Sequence, residues 1–188
     1  AAKPQIAVDP TVVGSHIVIA LQSIVSRNAD PTDQIVVSVT SFETSSKAFN
    51  VIPQAVVLRG TVRTLSDATR DLAEKRLVEI SANTGDVFGA DVNPIYTRGY
   101  PVMTNSVEQT EFAASVAKSV SGNCEDAPLV MGGEDFSYMA IERPGAYILI
   151  GNGDSAPVHN PNYNFNDKAI STGCSWWAEI IERRMPLS

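Results

Sequence analysis

Two runs of alternating character constrain this fold more than any other feature. "QIVVSVTSF" (34–42) sets Ile35, Val37 and Val39 on one side and Ser38 and Thr40 on the other. That two-residue period belongs to a strand with one buried face. "NVIPQAVVLRGTVRTL" (50–65) repeats it, with Val56, Leu58 and Val62 sharing a face opposite Arg59, Thr61 and Arg63. Such a pair must be covered on its apolar side, and the flanking segments offer the cover. In "PTVVGSHIVIALQSIVSR" (10–27), Val13, Ile17, Ala20, Leu21 and Ile24 recur at helical spacing behind an Asp9 cap and Pro10 at the first helical position. Ser66 and Asp67 open a second helix whose stripe, Ala73, Leu77, Ile80 and Val87, ends at Gly89. "ADVNPIYTRGY" (90–100) reads as a third strand, placed at a sheet edge by Pro94. The order helix–strand–strand–helix–strand suits a split βαβ sandwich, with helices on one face of the sheet. Its first strand would precede Ala1, and an opening of "AAKPQIAVDP" without Met reads as a piece of a longer protein.

After "GYPVMTN" the pattern changes, which places a domain boundary near Pro101 and divides the chain into 1–102 and 103–188. Ser106 and Gln109 have the spacing of a capping box for a helix carrying Phe112, Val116 and Val120 and closed by Gly122. "AYILI" (146–150) is a continuous apolar run, as expected of a strand buried on both faces. A last helix shows Ile170, Cys174, Trp177 and Ile181 at three- and four-residue spacing. One such strand is too little to complete a sheet, so apolar surface around Ala146–Ile150 is expected to be left uncovered. The fold class is α/β: an α+β part followed by part of an α/β layer.

Three stretches carry chemistry. "VMGGEDFSYM" (130–139) joins a Gly132–Gly133 turn to Glu134 and Asp135. Two glycines let the backbone approach a ligand, and equally they make a turn in which Asp135 only caps the helix beginning at Phe136. "ILIGNGDSAPVHNPNYNFND" (148–167) follows the apolar run directly and holds His159, one of two histidines. Loops beyond the carboxyl ends of strands in α/β sheets are where ligands bind. By position alone His159 is either a metal ligand or a hydrogen-bonded loop residue, since a site needs three or four ligands. His16 stands beside an apolar helix stripe and reads as structural. Asn50 ends the loop before the second strand, and Arg63 lies on that strand's polar face. An Arg and an Asn together suit a carboxylate, while an Arg alone on a sheet face is most often solvated.

Composition removes other classes. Net charge is −7 and Lys and Arg never cluster, so no nucleic-acid footprint exists. No run approaches the roughly 18 apolar residues of a membrane span. Cys124 and Cys174 match no metal or redox spacing and suit free thiols in a reducing cytoplasm.

The segments "AAKP…VDP", "IVSRN", "NVIP", "GTVRT", "RGYP", "MGGEDFSYM", "RPGAY", "GNGD" and "HNPNYNFND" occur in an order that resembles the amidohydrolase branch of the aminoacylase/carboxypeptidase dinuclear metallopeptidases. Hippurate hydrolase, N-acyl-amino-acid amidohydrolase and indole-acetyl-amino-acid hydrolase are its types. The resemblance implies a ferredoxin-like lid that mediates homodimerisation (1–102) and the C-terminal portion of a zinc-peptidase catalytic domain (103–188). It implies an intact enzyme with two divalent ions (Zn, Mn, Ni or Co) that cleaves the amide bond of N-acyl amino acids. His159 matches the last metal ligand of that family, and Asn50 and Arg63 match lid residues that hold the substrate carboxylate. Gly132, Gly133 and Glu134 match the glycine–acid motif lining the site. The family's Cys-x-His pair, its paired Glu residues including the general base, a further ligand His and the lid His would all lie upstream of Ala1. Gln5 stands where His is frequent. The expectation is therefore an inactive fragment that has lost its metals, with a non-catalytic dimerisation module as the alternative.

Overall fold

A computed structural model describes residues 1–186. Helix α1 (Pro10–Ser23) starts as its sequence dictates, with Asp9 Oδ1 accepting from the Thr11 N–H at 2.9 Å and Pro10 at the first helical position. It runs on into a single π-helical turn over Ile24–Asn28. Strands β1 (Ile35–Thr44) and β2 (Val56–Thr64) pair antiparallel, from Ile35 opposite Thr64 to Thr44 opposite Val56. The register slips between Val39 and Ser41, so Thr40 is the extra residue of a bulge opposite Gly60 and Arg59. Gly60 is required there, because a Cβ would stand 2.2 Å from the Ser38 carbonyl oxygen.

Helix α2 (Asp67–Phe88) is capped by Ser66, whose Oγ accepts from the Thr69 N–H at 3.1 Å, and closes on Gly89 at φ 69°. The apolar side of the β1–β2 pair packs against both helices. Val13, Ile17, Leu21, Ile24, Ile35, Val37 and Ala73 form the buried cluster, with Leu58, Val62, Leu77 and Ile80 against it. Val87, expected in the α2 stripe, is exposed; the last turn packs through Phe88, which also stacks on the His16 ring at 4.6 Å.

The expected third strand is not formed. Residues 90–100 run without regular structure, and Pro94 has no N–H to offer a ladder. Side chains anchor the segment to α2 instead. The Arg98 guanidinium reaches Asp71 and Glu74 at 2.6 Å each, and Arg70 donates to the Gly99 carbonyl at 2.8 Å.

In the second half, α3 (Val107–Ser121) packs on α5 (Lys168–Arg184) through Ala113, Val116 and Trp176. The Trp176 indole N–H donates to the Ala113 carbonyl at 3.1 Å. Trp176 faces α3, so the stripe read as Ile170, Cys174, Trp177 and Ile181 lies on the exposed side of α5. The Ser106–Gln109 capping box is not made: Ser106 makes no side-chain cap bond, and its N–H donates to the Gly145 carbonyl at 2.9 Å.

Residues 146–150 are not a buried strand. Ala146 and Ile148 pack under α3 and α5, while Leu149 is 63% exposed and Ile150 48%. Among the described residues no strand pairs with this segment, and one side chain supplies the substitute. Asn105 accepts from the Tyr147 N–H at 2.8 Å and donates to the Tyr147 carbonyl at 2.9 Å, as a paired strand would. A short helix α4 (Phe136–Glu142) precedes this segment, and a 3-10 turn (Pro4–Ile6) lies ahead of α1.

The chain divides into two compact units, 1–102 with 131–133, and 103–130 with 134–188. No helix among the described residues is long and apolar enough to cross a membrane.

Candidate functional site

In the first unit, Arg63 and Gly133 stand in contact. A Cβ built on Gly133 would lie 2.8 Å from the Arg63 Nη1 and 3.2 Å from the Tyr100 Cδ2. The glycine thus lets backbone, guanidinium and phenol ring share a space that any side chain would fill. Strand β2 projects Arg63 from its polar face, opposite Val36 of β1. Among the described residues no carboxylate forms a salt bridge with Arg63, whereas Arg59 on the same face is bound to Glu43 at 2.8 Å. An Arg with its charge uncompensated is suited to bidentate capture of a carboxylate.

Asn50 is exposed in a turn of the β1–β2 connection. That loop is closed at its base by Ser45, whose N–H donates to the Ala55 carbonyl at 3.0 Å and whose Oγ accepts from the Gln54 and Ala55 N–H groups at 3.1 Å. Beside Asn50, a shallow cavity of about 280 Å³ is lined by Thr44, Ser46, Phe49, Val51, Ile52 and neighbours. Asn50 makes no hydrogen bond to Arg63 or Gly133 among the described residues. Gly132 is exposed next to Gly133.

Glu134 belongs to the second unit and takes the capping role expected of Asp135. Its Oε1 accepts from the Phe136 N–H at 3.1 Å, while Asp135, already helical at φ −73° and ψ −21°, makes no cap bond. Ser137, fully buried, returns its hydroxyl to the Glu134 carbonyl at 2.5 Å. The Phe136 N–H, then the Tyr147 hydroxyl and Asp135, hold the Glu134 carboxyl below the usual glutamate range. Reciprocally, the bond to Glu134, followed by partial burial, pushes the Tyr147 phenol up. A carboxylate so held accepts hydrogen bonds and is a poor proton donor at neutral pH.

His159 stands exposed in the Asn-rich loop, with φ 69°. It is the one non-glycine with positive φ among the described residues. Left-handed backbone costs an ordinary L-residue roughly 1–2 kcal/mol. Side-chain amides hold the loop around it: Asn152 donates to the Asn164 carbonyl at 2.8 Å and accepts from the Asn166 N–H at 2.7 Å. Among the described residues no three His, Cys, Asp or Glu side chains converge on a space that could hold a metal ion. These residues by themselves do not fit a metal centre.

Sequence reasoning missed Tyr100, Tyr147 and Asn105. The two tyrosines sit within "RGYP" and "RPGAY", where only the nearby glycines, Gly99 and Gly145, could have drawn notice.

Residues 5–183 match the family described as Peptidase family M20/M25/M40. The chain belongs to this family. It is 35% identical to hippurate hydrolase of Campylobacter jejuni over 94% of this chain and 47% of that protein. It is 31% identical to IAA-amino acid hydrolase ILR1-like 5 of Arabidopsis thaliana over 97% of this chain and 44% of that one. The chain therefore spans about half the length of the curated relatives it matches. Among solved structures, a protein of methicillin-resistant Staphylococcus aureus described as an aminohydrolase aligns with a TM-score of 0.77 at 35% identity, covering 96% of this chain and 47% of that one. A Bacillus subtilis protein described as a dinuclear metal-binding peptidase of the M20 family shares the fold, with a TM-score of 0.71 at 24% identity over 92% and 45% of the two chains. The mixed helical and antiparallel architecture is thus that of an M20 α/β peptidase.

Proposed function

We propose that this chain is the carboxylate-recognising part of a metal-dependent amidohydrolase that cleaves the amide bond of N-acyl amino acids. The observation that carries the reading is the family match over residues 5–183, in which Arg63 stands against Gly133 without a carboxylate of its own. Hippurate and IAA–amino acid conjugates, named in the relatives, share an amide bond and a free carboxylate. Arg63 pairs with that carboxylate, and Asn50 adds an amide contact from its exposed turn. Gly132 and Gly133 leave space for the bound molecule.

His159 is the ligand this chain contributes toward a dinuclear centre, and its left-handed backbone supports that reading, since strained residues concentrate at functional sites. The remaining ligands and the general base are assigned to the part of the longer relatives that this chain does not span, so no hydrolytic step is assigned to these residues. The 188-residue chain alone is expected neither to retain two metals nor to hydrolyse N-acyl amino acids. Residues 1–102 serve as a lid and as the surface through which two copies associate.

Arg63→Ala in an enzyme spanning the relatives' full length tests the reading. Losing a charge-assisted pair worth about 1.5–3 kcal/mol should raise KM for hippurate roughly tenfold to a hundredfold. An unchanged KM for substrates with a free carboxylate would remove Arg63 from the site.

A further inference from the structure

We infer that Gly133 is a positioning residue for Arg63, and that through Arg63 it sets the selectivity of this enzyme for substrates with a free carboxylate. The inference rests on the carboxylate-binding reading of Arg63 and adds to it the means by which the guanidinium is aimed. A side chain on an arginine projecting from an exposed strand face ordinarily samples many rotamers. Here the guanidinium lies against a backbone that lacks a Cβ, with the Tyr100 ring on the same glycine. Any Cβ at position 133 would fall 2.8 Å from Nη1, closer than a carbon and a nitrogen can approach, and 3.2 Å from the ring.

Arg63 is the member of this contact that can yield. It reaches Gly133 through the end of a flexible side chain, whereas β2 holds its backbone in register opposite Val36. A methyl group at 133 therefore moves the guanidinium and leaves the fold in place. Gly133 is not among the glycines with positive φ, so alanine is compatible with its backbone. The glycine–acid motif then has two separate duties. Gly133 aims the arginine in the first unit, and Glu134 caps α4 in the second.

The test uses the 188-residue protein and compares the original sequence, Gly133→Ala, Arg63→Ala, Arg63→Lys and the double variants. The first readout needs no ligand: the Arg63 Nε–Hε signal in a ¹⁵N spectrum should move in Gly133→Ala while the backbone amides outside the contact keep their positions. The second is binding of hippurate and of its methyl ester by calorimetry. Gly133→Ala should weaken hippurate by at least about tenfold, the worth of one charge-assisted hydrogen bond, and leave the ester unchanged. In the Arg63→Ala background the same substitution should have no further effect, and in Arg63→Lys, whose ammonium needs less room, its effect should shrink. An unmoved Arg63 signal, or a Gly133→Ala effect that persists without Arg63, overturns the inference. If the original protein and Arg63→Ala bind hippurate alike, the carboxylate reading of Arg63 fails, and the selectivity claim falls with it. The Nε–Hε signal still decides whether Gly133 positions the arginine.

Discussion

Glu134 and Tyr147 form the pair whose behaviour at the scale of single residues is most open to measurement. The carboxyl is stabilised in its ionised form by the Phe136 N–H and the phenol, and the phenol is stabilised in its neutral form by the carboxylate. The signs of the two contributions are opposite. Glu134 has a depressed folded pKa, so its contribution is present above the unfolded value of about 4.3 and is lost as pH falls through the folded one. Tyr147 has a raised folded pKa, so its contribution is complete below about 10 and is lost as pH rises through the folded value. Tyr147→Phe should shift the Glu134 carboxyl back toward the ordinary range without abolishing the depression, because the Phe136 N–H remains. A carbon-13 titration of the Glu134 carboxyl measures this, and an unmoved midpoint would mean that the phenol does not reach it. The adjacent acids also show how far sequence reaches at this scale. "GGED" announces a cap, but which acid turns inward depends on where the chain becomes helical, and Asp135 is already inside the turn.

Among the elements, the β1–β2 pair carries the clearest dependence on one position. Gly60 lies opposite Val39 at the bulge, and the atom its Cβ would meet at 2.2 Å is the Ser38 carbonyl oxygen, which cannot swing aside as a side chain can. Gly60→Ala should destabilise the protein by about 1–3 kcal/mol or more, toward the upper end of overpacking costs. Urea unfolding checks this, and a change below about 0.5 kcal/mol would show that the register adapts freely. Helices α1 and α2 were legible because their caps are local: Asp9–Pro10 and Ser66 satisfy N–H groups a few residues away. The apolar face of α5 was not. Both Trp176 and Trp177 fit a helical period with other apolar residues, and only the Ala113 carbonyl on α3 distinguishes them.

For the molecule as a whole, the uncovered apolar surface of the second unit decides how it behaves in solution. Ile170, Trp177 and Ile181 on α5 are each more than half exposed, and Leu149 and Ile150 add to the apolar area. Monomers rarely leave large apolar patches open to water. The 188-residue protein should therefore self-associate at micromolar concentrations, and Trp177→Lys combined with Ile181→Lys should weaken this without disturbing the Trp176 contact. Sedimentation velocity distinguishes the outcomes, and a monodisperse monomer before substitution would contradict the expectation. The exposure itself is legible in the sequence: a run such as "AYILI" asks for neighbours on both faces, and among the described residues no strand pairs with it.

By itself the sequence determined the strand pair, the caps and ends of α1 and α2, the closing glycines and the order of motifs that marks the family. Each of these depends on groups close in the chain or on a repeated period. Tertiary structure alone decided that residues 90–100 are tied to α2 by Arg98 and form no strand, and that Asn105 stands in for a strand beside Tyr147. It alone brought Gly133 against Arg63, 70 positions earlier in the chain (133 − 63). Such contacts depend on which surfaces meet across long loops, and no local period records them. The absent Cβ of Gly133 could be read from the sequence, but the guanidinium occupying its place could not.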